Sequence, residues 1–138
     1  MINQPRYLLD THAWLWFVAG DKTLKPAIRK LIEASIKKGE LYLSSISFWE
    51  VSMLVAKKRI IVNCPCLEWI QQAAAKLQVI HLTAAIAVDS CELPDDFHGD
   101  PVDRMIVASA RVENLVLLTR DNNILKYSKK NHVQTVKV

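Results

Sequence analysis

The run Leu115-Val116-Leu117-Leu118-Thr119 is apolar without alternation, and such a strand is stable only where both of its faces are covered. Strands covered in this way belong to parallel sheets, whose crossovers lay helices over the two faces. The rest of the chain supplies the matching elements. Arg6-Tyr7-Leu8-Leu9-Asp10 is a short apolar strand candidate, followed after Thr11 by His12 to Ala19, whose large apolar side chains suit a buried helix. Pro26 opens a second helix in which Ile28, Leu31, Ile32 and Ile36 repeat at helical spacing, and Gly39 closes it. Glu40 to Ser44 reads as a strand, and Ser45 or Ser47 is placed to cap a helix from Phe48 to about Lys58. An irregular segment from Ile60 to Pro65 follows, then a helix over Leu67–Leu77, a strand over Val79–Leu82 and a helix capped by Thr83 that reaches Glu92. Beyond the loop Pro94–Asp100, Pro101 takes the favoured first helical position of a helix over Val102–Glu113. A short helix near Ile124–Ser128 and a last strand near Val133–Val136 complete an α/β pattern: a central parallel sheet with helices on both faces.

A chain of 138 residues with 51% hydrophobic content has the size and the apolar material of one packed domain. With three Gly, five Pro and no Gly/Ser-rich stretch there is no natural linker, so one domain over residues 1–138 is expected. The polar start, Met1 to Arg6, and the short apolar run after it resemble neither a signal peptide nor a membrane span; no membrane association and a cytoplasmic location are expected. Cys64, Cys66 and Cys91 are odd in number and lack Cys-x-x-Cys spacing, which speaks against a disulfide framework and a zinc site. The formal net charge of +4 permits polyanion binding.

Open α/β sheets bind ligands outside the carboxyl ends of their strands. The residues at those positions include two aspartates: Asp10 follows Tyr7-Leu8-Leu9, and Asp121 follows Leu115–Thr119 with one Arg between. If both strands are parallel and central, their carboxylates emerge on one edge. The helix beginning near Pro101 delivers Asp103, and with it Asp100, to that edge, while Glu50 lies in the first turn or so of the helix that follows the second strand. Carboxylates gathered in one place repel each other and are driven to take up protons unless a cation compensates them. Hard cations such as Mg2+ or Mn2+ take oxygen ligands and keep waters for use with a phosphate substrate, and in phosphodiester hydrolysis they activate the attacking water and stabilise the departing oxygen. Each residue also has a use that needs no chemistry. Asp10 and Asp121 are good helix caps, Asp103 in a first turn suits the helix dipole, and Glu50 beside Trp49 suits an exposed helix face.

In order along the chain, Leu8-Leu9-Asp10-Thr11-His12-x-x-Leu15-Trp16, Ser47-x-Trp49-Glu50-Val51, His98-x-Asp100-Pro101-x-Asp103-Arg104 and Thr119-x-Asp121 form a set of patterns that spans nearly the whole sequence. In this set the chain resembles PIN-domain ribonucleases, and most closely the VapC-type toxins of bacterial toxin–antitoxin pairs. The resemblance implies a PIN-like three-layer fold and an acidic quartet of Asp10, Glu50, Asp103 and Asp121 that is catalytic and binds Mg2+ or Mn2+, with Asp100 as an accessory carboxylate. The position after Pro101, often Phe in this subgroup, is Val102. It further implies cleavage of RNA as an endoribonuclease, homodimerisation, and inhibition by a cognate antitoxin that lays a segment over the active site. Trp14, Trp16, Phe17, Phe48, Trp49 and Met53 are candidates for such interfaces, with the core as the competing place for each. Arg104, Lys57, Lys58 and Arg59 are candidate phosphate contacts, against a solvated helix end for the basic run.

Other readings compete. A housekeeping nuclease of the same family without an antitoxin, or a catalytically silent RNA- or protein-binding module, fits the same fold, although the silent module is expected to have lost acidic positions that are all present here. A phosphatase with an Asp nucleophile generally wants a second acid two residues on, where this chain has His12. His81, His98 and His132 fall at no metal-ligand spacing that would suit a histidine-based nuclease.

Overall fold

The apolar runs assemble as parallel strands. In the computed structural model, which describes residues 4–138, β1 (Tyr7–Leu9), β2 (Leu41–Ser44), β3 (Gln78–Ile80), β4 (Val116–Thr119) and β5 (Gln134–Lys137) form a five-stranded sheet of order β3-β2-β1-β4-β5. Every pairing is parallel, with Leu9 opposite Leu43 on one side and Leu118 on the other. Met1–Asn3 of the expected 1–138 unit lie outside the described residues.

The helices are α1 (Thr11–Ala19), α2 (Pro26–Lys37), α3 (Ile46–Ala56), α4 (Cys66–Ala73), α5 (Ala84–Cys91), α6 (Pro101–Val112) and α7 (Asn122–Ser128). Because successive residues of a strand point to opposite faces, Leu8 and Leu117 join one core, with Ile86, Ile106, Phe97 and Tyr127. Leu9, Leu41, Leu43 and Leu118 join the other, with Trp14, Ile32, Val51 and Ile70. The apolar stripe predicted for α2 packs against this second core through Ile28, Leu31, Ile32 and Ile36. Gly39, at φ 67, turns the chain from α2 towards β2. The three layers expected from the doubly covered β4 are therefore present.

Element boundaries differ from the sequence reading in α3 and α4. Helix α3 starts at Ile46 rather than Phe48, and neither Ser45 nor Ser47 caps it through its side chain; the Ser44 hydroxyl accepts the Ile46 N–H instead, at 3.2 Å. Ser47 is wholly buried and bonds the Thr11 hydroxyl at 2.7 Å. A tertiary partner thus claimed a hydroxyl whose local pattern suggested a cap. Helix α4 ends at Ala73 rather than Leu77, because the Ala74–Leu77 turn sets the entry into β3.

Candidate active site

Strand β1 is followed in the sheet by β2 on one side and β4 on the other, so the connections leave in opposite directions at the β1/β4 junction, the place where open α/β sheets bind ligands. Asp10 and Asp121 stand at the carboxyl ends of those two strands. The Asp10 backbone N–H donates to the Leu118 carbonyl at 3.0 Å, continuing the β1–β4 ladder into the site. Both aspartates also cap helices. Asp10 Oδ1 accepts the Thr11 N–H at 2.8 Å, and Asp121 Oδ1 accepts the Ile124 N–H at 2.9 Å. The capping alternative and the strand-end reading are thus satisfied together, since the turn that ends each strand begins the next helix.

Asp10 is nearly buried, at 8% exposure, and its second oxygen is held by the Thr119 hydroxyl, which donates at 2.6 Å. Burial raises the Asp10 carboxyl above its ordinary value, against the lowering effect of the bonds from Thr119 and Thr11. Thr119 itself accepts the Asp121 N–H at 3.0 Å, so one hydroxyl links the two strand-end aspartates. It belongs to the quoted Thr119-x-Asp121 pattern but had no role assigned from sequence.

Asp103 enters from α6. Asp100 caps that helix by accepting the Asp103 N–H at 2.8 Å, and Pro101 fills its first turn. The Asp103 carboxyl is pushed up to about 7, first by burial and then by the negative charges of Asp100, Asp121, Asp10 and Glu50. The other four acidic residues singled out from sequence therefore all act on the Asp103 carboxyl. Glu50 is half-buried and lies in the second turn of α3, a turn later than expected. It stands three residues after Ser47, on the same helix face, and the Ser47–Thr11 bond ties that face to the start of α1 next to Asp10.

The loop before α6 depends on a residue the sequence reading passed over. A Cβ at Gly99 would sit 2.2 Å from Cε2 of Phe97 and 3.0 Å from Cβ of Asp103, and the Phe97 ring is buried in the core. Only hydrogen fits there, so the chain can pass between the core and the acidic edge. Arg104 fastens the same loop: its Nε donates to the Ser90 carbonyl at 2.8 Å and its Nη1 to the Phe97 carbonyl at 2.6 Å. Its guanidinium is thus engaged inward, whereas Lys57, Lys58 and Arg59 at the end of α3 are exposed.

As the side chains stand, no group of three or more His, Cys, Asp or Glu among the described residues is set to hold a metal ion. Asp10, Asp100 and Asp121 each spend an oxygen on a backbone N–H, and uncompensated carboxylates keep apart. The donors are nonetheless all carboxylate oxygens, and Asp103, raised first by burial and then by four neighbouring carboxylates, stands where a divalent cation would offset both; this chemistry fits a hard cation.

On the Glu50 side a cleft of about 730 Å³ opens, lined by Leu15, Trp16, Met53 and Ile61 and bordered by Glu50 and Asp100. Of the aromatic set, Trp14 is fully buried and Trp49 is 55% exposed. Among the described residues no helix is long and apolar enough to cross a membrane.

Comparison with known proteins agrees with this fold. The family model described as PIN domain matches residues 7–130. Ribonuclease VapC22 of Mycobacterium tuberculosis is 34% identical over 117 residues, covering 85% of this chain and 88% of the relative. Two similar folds are the DNA-bound VapBC of Salmonella typhimurium, at TM-score 0.72 and 16% identity over 97% of this chain and 98% of that one, and VapBC2 of Rickettsia felis bound to a promoter DNA fragment. The latter has TM-score 0.73 and 19% identity, over 96% and 98% of the two chains.

Proposed function

The chain belongs to the PIN-domain family, and on that premise we propose that it is the endoribonuclease toxin of a toxin–antitoxin pair, a single cytoplasmic nuclease domain whose Asp10, Glu50, Asp103 and Asp121 hold Mg2+ or Mn2+. The observation that carries this reading is the Asp103 carboxyl, raised to about 7 by burial and by four neighbouring carboxylates. A fold gains nothing from such repulsion, and residues placed so as to create it are characteristic of sites that work on a charged ligand. The similarity to a protein named as a ribonuclease supports RNA as the substrate.

When bound, the cation supplies charge neutralisation and Lewis-acid activation of water and phosphate. Asp10, pinned by Thr119 and Thr11, offers a carboxylate of fixed direction at the strand junction. Asp103 exchanges its proton near neutral pH, so it is ready to ionise when positive charge arrives. Glu50 and Asp121 complete the charge and orient water, and Asp100 holds the first turn of the helix that carries Asp103. The exposed Lys57, Lys58 and Arg59 meet the RNA phosphates, while Arg104 keeps the loop in place.

Two surfaces support the partners. The cleft beside Glu50 and Asp100 is apolar and carries Ile61 at 95% exposure, which suits an antitoxin segment laid over the site; the VapBC complexes among the structural neighbours support the same partner. Val88 on α5 and Val112 on α6, both exposed, support self-association into a homodimer.

The test is RNA cleavage by the purified protein with Mg2+ or Mn2+, its loss in EDTA, and its loss in an Asp10→Asn variant shown to be folded by circular dichroism. Undiminished cleavage by that folded variant overturns the site. Induction of the wild-type chain in cells should arrest growth and the variant should not; normal growth at good expression favours the housekeeping nuclease.

A further inference from the structure

Between the loop 94–100 and α7 lies a second recess, of about 480 Å³, whose lining includes Asp96, His98, Asn123 and Lys126. Its floor is aromatic: the buried rings of Phe97 and Tyr127 lie 4.9 Å apart, and the Tyr127 hydroxyl donates to the Pro94 carbonyl at 2.6 Å. The recess borders the acidic edge along the chain, for His98 precedes Asp100 by two residues and Asn123 follows Asp121 by two.

The rim is built at a cost. Asp95 and Asp96 adopt left-handed backbone in succession, at φ 56 and 48, a conformation uncommon for any residue but glycine and one that persists where surrounding structure enforces it. The first of these carboxylates is committed to His132, and the Lys130 ammonium donates to the Asp95 carbonyl. Among the described residues the ion pairs are His132 with Asp95 and Arg111 with Asp89, which leaves Asp96 and Lys126 facing the recess uncommitted.

A carboxylate and an ammonium on one rim do not suit a bare anion, which Asp96 would repel. They suit a ligand with hydrogen-bond donors at one end and a phosphate at the other. Resting on the nuclease reading above, we propose that this recess is a guanylate subsite of the RNA-binding surface. The Asp96 carboxylate accepts the guanine N1–H and N2–H, the base lies against His98 above the Phe97–Tyr127 floor, and Lys126 meets the phosphate. Guanine is the base whose Watson–Crick edge presents two adjacent donors to a carboxylate, and bases splayed from single-stranded RNA are read in this way along that edge.

The test uses the four nucleoside 5′-monophosphates on the full-length 15N-labelled protein, followed by backbone amide shifts. GMP is expected to shift amides of residues 95–98 and 122–127 and to bind about tenfold more tightly than AMP, CMP or UMP, the discrimination of one good bidentate pair. Asp96→Asn, which keeps the left-handed backbone accessible, should remove the preference for GMP, and Lys126→Ala should weaken all four nucleotides alike. Shifts centred elsewhere, equal affinities, or a folded Asp96→Asn variant that keeps the preference overturn the subsite. If the wild type cleaves RNA with Mg2+ yet its recess ignores GMP, the subsite falls alone. If GMP binds selectively but RNA is not cut with either metal, the nuclease reading falls and the recess stands as a nucleotide site.

Discussion

Thr119 and Asp10 are joined across the two central strands by a 2.6 Å hydrogen bond between groups that are both buried. The same hydroxyl accepts the Asp121 N–H, so two strand-end carboxylates take their placement from one side chain. Thr119→Val keeps the shape and deletes the hydroxyl, leaving an Asp10 oxygen and the Asp121 N–H without this partner. A buried group left unpaired costs about 1–3 kcal/mol, more when charged. Urea denaturation should register that loss, and RNA cleavage should fall with it, while Thr119→Ser should retain most of both.

The elevated Asp103 predicts how the metal-free protein responds to pH. Its carboxyl moves from 3.8 to about 7 on folding, so the folded state binds the proton better than the unfolded chain. The stability contributed by the protonated group is complete below the unfolded value and is lost as pH rises through about 7. Asp10, also raised, has the same sign. Denaturation midpoints in EDTA should therefore fall between about pH 4 and pH 7 on account of these groups, and Asp103→Asn should flatten part of the slope. The variant should be more stable than the wild type at pH 8 and inactive on RNA. A slope unchanged by the substitution would show that Asp103 titrates normally.

Gly99 should accept no side chain without movement. In Gly99→Ala the new methyl would meet the Phe97 ring, which is packed in the core and cannot swing away. Overpacking of this kind costs about 1–3 kcal/mol. Because the loop leads directly to Asp100 and Asp103, cleavage should drop by more than the loss of folded protein explains, which paired denaturation and rate measurements on one preparation would reveal.

The tryptophans divide by position. Trp14 is fully buried, packs against Trp69 with ring centroids 5.3 Å apart and donates its indole N–H to the Ala73 carbonyl. Trp14→Ala should cost about 3–5 kcal/mol, as truncation of large aromatic core residues does. Trp49 is more than half exposed, and Trp49→Ala should stay within about 0.5 kcal/mol of the wild type. Thermal denaturation of the two variants separates core from surface directly.

Ile61 in the apolar cleft is 95% exposed, so Ile61→Asp should leave the melting temperature unchanged. Burial of an isoleucine side chain is worth about 1.5–3 kcal/mol, and affinity for the cognate antitoxin should fall by about tenfold or more. Calorimetry with the purified antitoxin would measure it. Unchanged affinity would place the antitoxin on another face.

Much of this could be read from the chain. The unbroken apolar run of β4 demanded cover on two faces, the period of α2 named its buried stripe, and Asp10 and Asp121 followed from the rule that strand ends face the ligand. Asp103 and Glu50 were legible mainly through the order of the family's patterns, because an acid in an early helical turn is explained as well by local electrostatics. Gly99 was not legible, since what excludes a Cβ there is a ring that only folding brings close.

What the sequence determined by itself was periodicity, turn chemistry and the order of the acidic residues, which are local properties of a chain whose side chains repeat every two or every 3.6 residues. The tertiary structure alone decided which partners those residues met. Ser47 has the makings of a cap but bonds Thr11, and Arg104, a candidate phosphate contact, turns its Nε and Nη1 inward to fasten a loop. The Asp103 carboxyl titrates near 7 because burial and four other carboxylates come together around it. Hydrogen bonds and desolvation act over a few ångströms of space, so the choice of partner waits until the sheet has brought distant segments together.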